Sequence, residues 1–436
     1  MSAMISFESA PPFAAPLRFF LTAPLFAVLA GVLIAIEGPA IFASRWMPAT
    51  LALTHLLTVG FMLQMMLGAL IQILPVVAGA NLVRPLLVAG VAHAGLTVGA
   101  LLLVGGLYFS LPILLTSAAV FLGLSVGFFL FFAIRALVGI SSSSPTIRGL
   151  KLALFGLSMV VGLGILMASA IAHGWSLPLQ VLTNLHAGWG LGGWAGILLA
   201  AIAYVVVPMF QLTPGYPARA SWWYPVAMFA LLLFWTLAVM LDWPMGARIA
   251  QAGVGLAGLA FAGLTMRLQQ KRRRARADVT YRYWQLGLTA SIFALFMLCN
   301  VAFWPAASDL PGWSLIFGIL LIAGGFLPFI MGMLYRIVPF LAWMHLQSVG
   351  QYKVPAPNMN QILPARQMEW QMYSYTGAVL LLLLAAVLPD LLGRFAGVAY
   401  ASVCGWLWFN LLSAIRRYQH HKNEIEAKLQ AKAVGA

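Results

Sequence analysis

Twelve stretches of this chain run for about twenty residues or more with hardly a charged side chain, which is the length that spans a bilayer. Within lipid every backbone N–H and C=O must find a partner inside the protein, which leaves helices and closed barrels as the spanning structures. Barrel strands are about 10 residues long and alternate polar with apolar positions. These runs are longer and do not alternate. The spacing predicts helices over 17–37, 49–77, 83–107, 110–137, 149–172, 180–211, 221–242, 247–267, 282–304, 312–340, 370–390 and 393–416. The expected fold is an all-α polytopic membrane protein with twelve transmembrane helices. Only 8% of the residues are charged, against about a quarter in a soluble domain.

The remaining charge sets an orientation. If both termini are cytoplasmic, all Lys and Arg except Arg45, Arg248 and Arg394 fall on the cytoplasmic side. That excess is what cytoplasmic loops hold. The expectation is a multi-pass inner-membrane protein with both ends inside. The net charge of +15 then needs no nucleic acid. The run Lys271-Arg272-Arg273-Arg274-Ala275-Arg276 sits beside the membrane, where anionic headgroups are its natural partner. Met1 to Pro16 carries no Lys or Arg, so no cleavable signal peptide is expected. Cys299 and Cys404 lie inside apolar runs and read as small buried hydrophobes.

A long period runs through the chain. Pro75, Pro208 and Pro339 stand 133 and 131 residues apart, each where the second helix of a group of four is expected to close. Seven residues before each is a small residue: Gly68, Ala201 and Gly332. Arg18, Arg148 and Arg282 open the first helix of each group, 57, 60 and 57 residues before those prolines. Proline favours helix ends in any case, but three matching spacings point to three pseudo-repeated four-helix units. Their expected bounds are 15–146, 147–280 and 281–418, one transmembrane domain over 1–418, followed by a cytoplasmic tail at 419–436.

Ionisable groups inside a membrane are costly and point to function. No acid falls mid-membrane in these helices, which weakens a proton-driven permease. His55 and His186 lie in the first third of the second and sixth helices, and His173 at the end of the fifth in the same layer. Imidazole is a ligand for haem iron and for copper. A histidine can equally hydrogen-bond a backbone or hydroxyl group between helices. Thr54, Thr58 and Thr183 stand nearby, able to orient the rings or to close helix hydrogen bonds. Around His186 lie Gly188, Gly190, Gly192, Gly193 and Gly196. Small residues let membrane helices approach closely, and would equally admit a flat ligand. His93, His345 and the His420-His421 pair fit structural or solvated roles.

Three groups of four helices, with histidines on the second and sixth, resemble the catalytic subunit of haem-copper oxidases and nitric-oxide reductases. In that family the second, sixth and tenth helices face the centre. The resemblance places His55 at the second-helix ligand of the low-spin haem and His186 at the sixth-helix copper ligand. The family's two histidines on the tenth helix have no counterpart in Trp313 to Pro328, and its seventh-helix pair is replaced by Ser221-Trp222-Trp223-Tyr224. Oxygen reduction by the family mechanism is therefore not expected. His55 is 20 residues before its proline and His186 is 22, a difference of about 200° of helix rotation. The chain is also loosely similar to NnrS-type haem and copper membrane proteins.

The function expected is a haem b- or copper-binding membrane protein without a complete catalytic centre. It would act in respiratory or nitrogen-oxide redox metabolism or metal handling, with a redox partner or respiratory complex. His55, His186 and His173 are the candidate ligands. A permease for a small solute and a cofactor-free assembly factor are the alternatives.

Overall fold

The computed structural model describes residues 11–273, 276–310, 312–351 and 353–434. Among them twelve helices are long and apolar enough to cross a membrane. They are α1 Ala14–Phe42, α2 Pro48–Ala78, α3 Pro85–Tyr108, α4 Pro112–Leu137, α5 Pro145–His173, α6 Leu179–Gln211, α7 Ala218–Met240, α8 Pro244–Gln270, α9 Val279–Phe303, α10 Trp313–Val349, α11 Ala365–Val387 and α12 Pro389–Val434. No strand occurs among the described residues. The chain is a multi-pass, all-α membrane protein.

Local chemistry sets the starts and stops. Pro48, Pro85, Pro112, Pro145 and Pro244 occupy first turns, where the missing N–H would be unpaired anyway. Ser144 and Asp278 cap α5 and α9, accepting from the backbone N–H of Ile147 and Tyr281 at 3.2 and 2.9 Å. Gly79 and Gly174 end α2 and α5 with φ of 66° and 69°, the left-handed region where glycine carries no penalty.

Nine helices form a closed ring in the order α1, α3, α4, α5, α7, α8, α9, α11, α12 and back to α1. The other three, α2, α6 and α10, lie inside it. Their most apolar windows are 83%, 56% and 61% buried, against 28–50% for the ring helices. Each inner helix crosses the first helix of its group of four at the small residue seven before the proline. A Cβ on Gly68 would lie 2.8 Å from the Phe19 Cβ, and one on Gly332 would lie 2.7 Å from the Tyr283 Cβ. In the middle group the roles are exchanged, and a Cβ on Gly149 would lie 2.6 Å from that of Ala201. Phe19, Gly149 and Tyr283 each follow directly on the arginine that opens the group.

All three inner helices also switch from α to π hydrogen bonding, over Leu56–Leu63, Gly188–Gly196 and Ile319–Phe326. These segments end 12, 12 and 13 residues before the three prolines. π segments concentrate at functional sites.

Pro75 and Pro208 lie in the last turn of their helices as expected, but Pro339 does not close α10. α2 ends at Ala78 and α6 at Gln211, three residues past their prolines, whereas α10 runs ten residues beyond Pro339 to Val349. A mid-helix proline removes one hydrogen bond. In α10 the buried Leu341, Ala342 and Leu346 continue the packed stripe past it. The segment beyond is correspondingly short of loop, with one turn at Met359–Ile362 capped by Asn358 and Gln361. The expected tail is likewise continuous with the last span: α12 is a single helix of 46 residues, and Ile425 is buried in the main core. Positions 435–436 lie outside the described residues.

Candidate functional site

α2 and α6 bring two of the three predicted histidines together. The rings of His55 and His186 have their centres 6.3 Å apart and their planes at 33°. Both side chains are half-buried, immediately before the π segment in α2 and two residues before it in α6. A π segment lies between each histidine and its proline, so the rotation that faces the rings toward one another is set by the π turns as well as by the two-residue difference in spacing.

The ring of His55 is fixed by the Leu51 carbonyl one turn back, which accepts from Nδ1–H at 2.8 Å. That bond assigns the tautomer and leaves Nε2 with its lone pair free for a metal. Nδ1 of His186 is buried and makes no hydrogen bond of good geometry; its edge of the ring faces α5, where the Val160 backbone interacts with it. Gly164 of α5 makes the room: a Cβ at this position would lie 3.1 Å from the His186 Cε1. One turn further along α5, the Met167 thioether takes a hydrogen bond from the Thr183 hydroxyl at 3.6 Å. Met167 thus adds a soft sulfur within about a turn of His186. Thr54 and Thr58 do not orient the rings; their hydroxyls donate to Thr50 O and Thr54 O within α2.

The spacing sets what the pair can hold. With a ring nitrogen about 1.2 Å from its centre and a metal bond of about 2.0 to 2.1 Å, two imidazoles on opposite sides of one ion put their centres about 6.5 Å apart. A tetrahedral angle at the ion would bring them to about 5.3 Å. The observed 6.3 Å fits a near-linear arrangement with the nitrogens turned toward each other. A haem needs the same nitrogen separation and also a void for the whole macrocycle. The cavity large enough for one, about 500 Å³, is lined by neither histidine.

His173 does not join them. It is exposed at the end of α5, bonded to the Ser169 carbonyl at 2.9 Å and stacked on Trp175. Among the described residues no three His, Cys, Asp or Glu side chains gather closely enough to share a metal. His93 binds the Thr22 hydroxyl at 2.8 Å, tying α3 to α1. His345 bonds Tyr418 at 2.8 Å, tying α10 to α12.

The 500 Å³ cavity lies among α6 to α10, lined along α6 by Gly188, Gly192 and Gly196. Its rim carries Arg45, Gln180, Asn184 and Asp309; its depth carries Phe261, Phe326 and Phe329. The sequence pointed to these glycines but not to Arg45, whose one signal was its solitary position between the first two helices. A second crevice of about 80 Å³, almost wholly apolar, marks the meeting of the three inner helices, with Met65, Met66 and Met333 on its wall. No protein-family model matches the chain, and no curated protein matches it.

Proposed function

We propose that this protein binds one monovalent copper ion between His55 and His186, within a bundle related to the haem-copper oxidase catalytic subunit. The closed ring with α2, α6 and α10 inside supports that relation. So do the recurring crossings next to Arg18, Arg148 and Arg282 and the three π segments, which favour three four-helix units. Copper handling for respiratory or nitrogen-oxide redox metabolism is the role such a site suits. Oxygen reduction is not, because Ser221 to Tyr224 and Trp313 to Pro328, where the family carries its remaining histidine ligands, hold none. The distribution of Lys and Arg favours an inner-membrane location with both termini cytoplasmic.

The observation that carries the reading is the histidine pair at near-linear spacing, with His55 Nδ1 tied to the Leu51 carbonyl so that its Nε2 is free to bind. Monovalent copper is a closed-shell ion that accepts two nitrogen donors in line. Its single charge also suits a site away from water, since burying charge is expensive. His55 and His186 supply the donors, and the Leu51 carbonyl holds one of them in orientation. A haem suits the pair less well because the large cavity lies elsewhere.

The test is metal content. Protein purified in detergent and loaded with monovalent copper under reducing conditions should hold about one ion, taken as a one-site expectation. A chelator specific for monovalent copper should remove it. His55→Ala and His186→Ala should each lose the ion while eluting as folded protein, and His93→Ala should keep it. Retention of full copper by both site variants, or a haem spectrum in place of copper, sinks the assignment. A permease for a small solute is the second reading, favoured by the cavity that opens beside Arg45.

A further inference from the structure

The cavity among α6 to α10 has two chemically distinct ends. At the rim, Arg45 is half-buried. Its Nη1 donates to the Asn184 side-chain oxygen at 3.2 Å, and its guanidinium lies 4.5 Å from the Trp46 ring centre. Among the described residues it has no carboxylate partner within ion-pair distance. Asp309 shares the rim but is exposed to water. Burial without a counter-charge lowers the pKa of the Arg45 guanidinium, as desolvation of a cation must. The guanidinium is therefore held in place, charged and short of an anion.

Below the rim the wall becomes glycine, aliphatic and aromatic. Gly192 lines the chamber without crowding: a Cβ there would make ordinary contact with Leu232 at 3.5 Å and Met228 at 3.8 Å. From Asn184 to Leu199, both on the wall, are 15 residues, about 20 Å of helix. Spread over that length, the 500 Å³ of the cavity has a mean cross-section of about 25 Å². A hydrocarbon chain packed at separations of about 4 to 4.5 Å takes roughly 16 to 20 Å². The chamber has room for one chain and not for two.

We propose that this cavity binds a single-chain amphiphile with a carboxylate head, a long-chain fatty acid in its chemistry. The carboxylate pairs with Arg45 beside Asn184, and the chain runs along the glycine face of α6 toward Phe326 and Phe329. A planar guanidinium forks onto a carboxylate through two parallel hydrogen bonds. The site is independent of the histidine pair, which lies outside the cavity lining.

A palmitate analogue bearing a diazirine at its tail is the probe, applied to the full chain in detergent and read by peptide mass spectrometry. Saturable labelling is expected deep in the cavity, around Leu199, Phe261 and Phe329, and excess palmitate should displace it. Arg45→Gln should weaken binding about tenfold or more, which corresponds to about 1.4 kcal/mol, and Arg45→Lys should retain part of it. Gly192→Leu should abolish labelling by filling the chamber, while circular dichroism and elution volume stay those of the parent. The proposal is overturned if the alcohol analogue labels as well as the acid. It is equally overturned if Arg45→Gln labels like the parent, or if a two-chain phospholipid or a coloured macrocycle occupies the cavity and blocks the probe. Copper content plays no part in these readouts, so failure of the metal site and failure of this one are separable.

Discussion

The same substitution at two places on α5 should have opposite effects. Gly156 lies against the π segment of α6. A Cβ there would sit 2.4 Å from the Gly193 carbonyl oxygen and 2.9 Å from the Trp194 nitrogen. Ordinary contact begins near 3.4 Å, so Gly156→Ala asks two backbones to part by about 1 Å. Neither atom is the end of a flexible side chain that could swing aside. Overpacking of this kind costs about 1 to 3 kcal/mol, and the better helix propensity of alanine returns only about 0.5 to 1 kcal/mol. Gly162, less than two turns along the same helix, has nothing within 4 Å of its would-be Cβ. Gly162→Ala should therefore be neutral or stabilising, by up to about 1 kcal/mol. The assay is the midpoint of thermal unfolding in detergent, with both variants and the parent prepared alike. Gly156→Ala should fall below the parent and Gly162→Ala should not. Equal shifts in one direction would refute the close approach of α5 to α6. Because α5 also carries Gly164 beside the His186 ring, Gly156→Ala should weaken copper binding as well.

Two further expectations concern the polar interior and the orientation. Gln371 accepts from the Tyr283 and Tyr335 hydroxyls and donates to the Val403 carbonyl at 3.0 Å; Gln371→Leu removes the acceptor of the Tyr283 hydroxyl and leaves Tyr335 only the bond it takes from Asn410 Nδ2, and should destabilise by about 1 to 3 kcal/mol per group left unpaired. Restoring part of the loss with Tyr283→Phe in the same chain, read by the same unfolding midpoint, checks the cause. Ser44→Cys should react with an impermeant thiol reagent in intact cells and Ser143→Cys only after permeabilisation; the reverse pattern overturns the orientation. Cys299 and Cys404 are buried and free, so background labelling should be low.

Hydropathy alone fixed the helix count, because each bilayer crossing leaves its own long apolar run. Which helices lie inside was also legible. Gln64, Gln72, His186, Tyr204 and Tyr335 fall on the second, sixth and tenth helices, and unpaired polar groups avoid lipid. The π segments were not legible. Leu56–Leu63 is almost entirely apolar while Gly188–Gly196 is more than half glycine, and two such different compositions share no local signal. The meeting of His55 with His186 depends on rotation about two helices, and π turns alter that rotation by amounts a residue count cannot supply. Pro339 misled for a related reason. Its missing hydrogen bond is visible in sequence, but the burial of Leu341, Ala342 and Leu346 that carries the helix onward is tertiary. The cavity draws its rim and floor from segments as distant as Arg45 and Phe329, so no stretch of sequence displays it.

The glycines after His186 show how one run can serve two faces. Read as composition, they allowed either tight helix packing or room for a ligand, and the structure divides them residue by residue. Gly188 lies under Trp235, where a Cβ would come within 2.5 Å of the ring. The Gly193 carbonyl is the surface against which Gly156 packs. Gly192, one residue away, lines the chamber, where a Cβ would meet Leu232 and Met228 only at ordinary contact distance. Close approach needs an absent side chain on the faces toward α5 and α7, and the chamber needs one absent toward its own axis. Since His186 meets His55 outside the chamber, α6 separates a polar pair suited to one ion from an apolar space suited to a chain. A side chain added at Gly188 or Gly193 should therefore act through packing and disturb both sites. One added at Gly192 should act on the chamber alone.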